Sequence, residues 1–207
     1  MNEQISTLKD DLAFMRNLAE DGRSQPSQGG RFLVGAGAIY AIPCLVQWMG
    51  YKHLAGLDPQ ATSWSWLIAT VIWIGVYGLL VASQKRRGVT HNQANRLFGA
   101  GWGAIGAAIL VFSLANWVAS VRLHSDVPFT TQASAVLTFY GAAWLVSAAT
   151  LRKLWMLVTG LGSFIVALAL AWLVTDVNLL LGFAAALVLL LVLPGLRLMQ
   201  DEMRAAG

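Results

Sequence analysis

The chain has 207 residues, of which 57% are hydrophobic and 12% charged, and its net charge is +4. A charged fraction about half the ~25% of soluble domains is too small to cover a folded surface in water, and the high hydrophobicity excludes disorder beyond the N-terminal segment. The single cysteine, Cys44, excludes a disulfide scaffold, which leaves an integral membrane protein, in keeping with a mean hydropathy of +0.62.

The first segment, over 1–22, is polar overall but carries Ile5, Leu8, Leu12, Met15 and Leu18 at helical spacing. That stripe predicts an amphipathic helix. Its polar face is mixed in charge rather than basic, so a docking role is expected: on the bundle itself, on a second copy, or on a cytoplasmic protein partner through Ile5, Leu8, Leu12 and Met15. A solvated helix without a partner is the plainer reading. No basic start followed by an apolar core is present, so no cleavable signal peptide is expected. A Gly- and Ser-rich linker over 23–31 follows.

A helix crosses ~30 Å of hydrocarbon with about 20 apolar residues. Six charge-free runs meet that length, and the expected spans are about 32–51, 63–84, 97–121, 128–150, 154–175 and 177–196, followed by a short tail over 197–207. Solidly apolar stretches such as 184–193 lack the alternation of barrel strands. The expected fold is therefore all-α, a six-transmembrane-helix bundle with an N-terminal cytoplasmic amphipathic helix. Three hairpins are suggested by similar openings at Arg31, Arg96 and Lys153, each followed by small residues.

In the first span Pro43 removes one backbone bond and is expected to kink the helix near Ile39, and Pro194 does the same late in the sixth. In the third span Gly99, Gly103 and Ala107 recur every fourth residue, a small-residue face that predicts a place at the bundle centre or at an oligomer contact. All but Lys52 and Arg122 of the 14 Lys and Arg fall on one side of this arrangement. The positive-inside rule then predicts both termini in the cytoplasm, in a plasma membrane of bacterial type. The bases are dispersed, with no aromatic-interleaved patch, so a lipid bilayer is the expected surroundings and nucleic acid is not an expected partner.

Chemistry is sparse. No charge lies at mid-membrane, and Asp176 belongs to the turn between the last two spans. His53, His91 and His124 all fall in loops, without the facing pairs a haem needs or the clustered ligands zinc needs. Cys44 has no basic neighbour to activate it. No nucleophile, metal or phosphate-binding motif is present, so no enzyme, cofactor or metal is expected.

The remaining candidates are aromatic and polar. Tyr40, Trp73, Tyr77, Tyr140 and Trp144 lie deep enough to line a pocket for an apolar or cationic ligand, or to pack as ordinary core. Gln47, Ser113, Asn116, Gln132, Thr138 and Ser163 either bond between helices or line a polar vestibule. Three functions follow as expectations: a non-enzymatic partner-binding or stress-response membrane protein, a small permease or channel for an uncharged or aromatic-binding solute, or an accessory subunit of a membrane complex.

Overall fold

A computed structural model describes residues 29–86 and 93–206, with side chains over 96–204 in the second stretch. The amphipathic segment with Ile5, Leu8, Leu12 and Met15 lies outside the described residues, as does His91.

The described chain is helical and contains no strand. The helices are α1 (Gly30–Tyr51), α2 (Pro59–Arg86), α3 (Gln93–Leu123), α4 (Gln132–Leu151), α5 (Leu154–Trp172), α6 (Leu179–Leu187) and α7 (Leu193–Ala206). A π-helical turn, Val188–Val192, joins α6 to α7, so the last two form one rod. Six helical stretches are long and apolar enough to cross a membrane, and the protein is a multi-pass all-α bundle. Helices prevail because hydrocarbon offers no water to backbone N–H and C=O groups, and a helix satisfies them within itself.

The connections are short. Asp58 caps α2 by accepting the N–H groups of Gln60 and Ala61 at 3.1 and 3.2 Å, the usual role of an aspartate at that position. Between α4 and α5 the chain turns at Arg152, which takes the left-handed conformation at φ 52°. Val127–Thr131 forms a short 3₁₀ turn ahead of α4.

Helix α1 packs between α2 and the α6–α7 rod, while α4 packs between α3 and α5. The two groups meet in a core of Ala41 and Cys44 from α1, Val136 and Leu137 from α4, Leu170 from α5, and Phe183, Leu187 and Leu191 from the rod. A second cluster at the end where α1 begins joins Leu33, Phe98, Trp144, Met156 and Leu198. The first two hairpins pack as pairs, but α5 packs chiefly on α4 and the rod chiefly on α1. The third hairpin therefore departs from the plan of the others.

The helix that carries the sixth span runs on past 196, through the expected tail, to Ala206. Leu198 is fully buried and the Glu202 carboxylate faces the Gly30 N–H and the Arg31 side chain at the start of α1. Packing of Leu198 in the cluster with Leu33, Trp144 and Met156 holds the extra turns in place. Helix α3 is not central. Only 6% of the apolar window of α2 and of α3 is buried, against 28% to 39% for the other four spans. Pro43 is fully buried within α1, which runs as one helix from Gly30 to Tyr51.

Candidate functional site

The side chains of α3 explain its position. Phe98, Trp102, Ile109, Phe112 and Asn116 form one stripe at helical spacing and are buried or half-buried. Phe112 meets Phe139 of α4 edge-on, and Trp102 meets Tyr140 and Trp144. Gly99, Gly103 and Ala107 lie on the opposite, exposed face. A methyl group added at Gly99, Gly103 or Gly106 would meet nothing within 4 Å. The bulky stripe holds α3 to α4, and the small-residue face has no partner among the described residues.

Close helix approach occurs at other glycines. A Cβ on Gly195 would come within 2.9 Å of the Gly30 carbonyl oxygen and 3.0 Å of the Val34 nitrogen. A Cβ on Gly160 would come within 3.1 Å of the Gly141 carbonyl oxygen. These contacts seat α7 on α1 and α5 on α4, the role of small residues in helix association within lipid.

Four of the five candidate aromatics fall into two sets of ring contacts. Trp73 and Tyr77 stack edge-on at 6.0 Å, and Tyr77 meets Phe32 at 5.4 Å on the α1–α2 side. Tyr140 and Trp144 belong instead to an aromatic row through Trp102, which Trp155 extends at 5.7 Å from Trp144. Tyr40 donates its hydroxyl to Thr70 Oγ1 at 3.3 Å. Tyr77 is 47% exposed while Trp144 is fully buried. Tyr40 and Tyr140, from different helix groups, both pack on the central core.

Trp144 also answers a defect in the backbone. Pro194 has no N–H to give to the carbonyl four residues back, which belongs to Leu190. That carbonyl accepts the Trp144 indole N–H at 3.0 Å. The π-helical turn falls at the same place, where the hydrogen-bond ladder is interrupted.

The polar residues bond to one another. Gln132 accepts from Asn116 Nδ2 at 2.8 Å and donates to Ser113 Oγ at 2.7 Å, linking α4 to α3. Gln47 does the same for α1 and α2: it accepts the Trp66 indole N–H and donates to Ser63 Oγ at 3.4 Å. Thr138 and Ser163 donate to carbonyls of their own helices. One glutamine amide thus clasps each of the first two hairpins. Gln132→Ala removes both bonds from its clasp. At ~0.6 kcal/mol per bond in a membrane protein, stability should fall by about 1 kcal/mol, read as a lowered unfolding midpoint in detergent, whereas Thr138→Ala should leave the midpoint in place.

His53 and His124 are exposed loop residues in left-handed conformation. Among the described residues no three His, Cys, Asp or Glu side chains come together to hold a metal. One ion pair links the bundle end, Lys153 Nζ to Asp201 at 2.5 Å.

Reading the sequence did not find the groove between α5 and the α6–α7 rod. It has a volume of about 360 Å³ and runs from Val158 and Leu189 to Trp155 and Arg197. Arg197 lies over the Trp155 ring at 5.0 Å. Pro194 was the available signal, since an interrupted ladder is where a helix surface becomes irregular. No family model, curated protein or solved structure matches this chain.

Proposed function

We propose that this is a non-enzymatic membrane protein that works by binding a protein partner. The observation that supports this reading is the uncovered face of α3, where Gly99, Gly103 and Ala107 leave room for another helix to approach its backbone closely. The segment over 1–22, whose sequence sets Ile5, Leu8, Leu12 and Met15 at helical spacing, is the second point of attachment in this reading. The Lys and Arg asymmetry orients both ends to the cytoplasm, in a bacterial inner membrane. That puts the amphipathic segment where cytoplasmic proteins reach it.

The uncovered α3 face also favours a narrower version, an accessory subunit of a membrane complex.

The test is chemical cross-linking in native membranes followed by purification of the full chain, a form lacking residues 1–28, and Gly103→Leu. Gly103 has open space around it, so the substitution should leave folding intact. Loss of cross-linked partner in Gly103→Leu alone identifies the membrane-plane contact. Loss only in the truncated form identifies cytoplasmic docking. An unchanged cross-linking pattern in both variants rejects partner binding through either surface.

A further inference from the structure

The groove beside Arg197 has a chemistry of its own. Its walls are apolar, and Val158, Leu189 and Leu193 are all exposed, at 64%, 59% and 50%. In a membrane-spanning bundle such side chains face acyl chains. Leu189 and Arg197 are eight residues apart on one rod, so the trough is roughly 12 Å long at 1.5 Å per residue. That suits part of one acyl chain.

The end of the trough is cationic. Trp155 lies in the first turn of α5, directly after Arg152 and Lys153, and Arg197 stands one turn beyond Pro194. This is the depth at which tryptophan and arginine anchor a span to the headgroup layer. Lys153 is engaged with Asp201. Among the described residues no carboxylate lies within ion-pair distance of Arg197, whose guanidinium rests on the Trp155 ring. A planar guanidinium held in that way keeps donors available for a phosphate.

We propose that this groove is a binding site for an anionic phospholipid, with one acyl chain along Val158, Leu189 and Leu193 and the phosphate at Arg197. Charge complementarity selects the occupant: an unpaired cation at headgroup depth above an apolar trough matches an anionic lipid of the same leaflet. The site is separate from the α3 face and stands or falls independently of partner binding.

The test uses the full-length protein in nanodiscs of mixed phosphatidylglycerol and phosphatidylcholine, with retained lipids counted by native mass spectrometry. Phosphatidylglycerol should be enriched about five-fold over its share, the change in affinity that one interfacial cation confers. Arg197→Gln should abolish the enrichment, and Arg197→Lys should keep most of it. Val158→Trp fills the trough from an exposed position and should displace both lipids. Glycerol phosphate, a headgroup without chains, should not compete. Equal retention of the two lipids by the unmodified protein overturns the proposal. So does enrichment that survives Arg197→Gln, lipid retention that survives Val158→Trp, or displacement by glycerol phosphate alone.

Discussion

Trp144→Ala is expected to be the most damaging single substitution in the described bundle, at about 3–5 kcal/mol. The side chain is fully buried and sits where five of the spans converge, in the cluster with Leu33, Phe98, Met156 and Leu198. Its ring meets Trp102 at 5.1 Å and Trp155 at 5.7 Å. Truncation opens a cavity against both rings, and cavity surfaces lose dispersion contacts that nothing replaces. It also leaves the Leu190 carbonyl, already deprived of a donor by Pro194, without the indole N–H. An unpaired carbonyl in hydrocarbon is costly because no water reaches it. Unfolding of the purified protein in mixed micelles by added SDS measures the loss. Trp144→Phe separates the two contributions: it keeps most of the ring, drops the hydrogen bond, and should cost about 1–2 kcal/mol. Equal losses in the two variants would mean that packing contributes nothing, and the account of the cluster would fail.

Gly195→Val should separate α7 from α1 and cost about 1–3 kcal/mol by overpacking. The added atoms would fall within 2.9 Å of the Gly30 carbonyl oxygen and 3.0 Å of the Val34 nitrogen. Both are backbone atoms of α1, so no side-chain rotation relieves the clash, and the helices must part. The separation would also loosen Leu198 and the contact of Glu202 with the first turn of α1. Gly195→Ala should have the same sign with a smaller effect. Gly103→Val provides the contrast, because nothing lies within 4 Å of its added Cβ. Its effect on the unfolding midpoint of the isolated protein should be within the few tenths of a kcal/mol of a surface change. A larger loss at Gly103 than at Gly195 would reverse the assignment of packing and open glycines.

These two substitutions mark what was and was not legible in advance. The six spans follow from runs of uncharged residues, which report the solvent of each segment directly. Gly99, Gly103 and Ala107 recur every fourth residue, but spacing records only that a close approach is permitted. Whether it happens depends on a complementary surface, and α4 met the Phe98, Trp102 and Phe112 stripe of α3 instead. Gly30 and Gly195 are 165 positions apart in the chain, and no local pattern links them. The same holds for Trp144 and Leu190: Pro194 announces a carbonyl without a donor, but the donor comes from a different helix.

The sequence by itself determined that the chain is a membrane protein with six helices long and apolar enough to span. Those properties come from the one-dimensional distribution of charge and hydrophobicity, because transfer into hydrocarbon is settled residue by residue. The tertiary structure alone decided which helix faces are covered, which glycines carry contacts, and that a trough with one unpaired arginine opens between α5 and the last rod. Helix association in lipid has little hydrophobic drive, so it turns on the fit of surfaces brought together from distant parts of the chain.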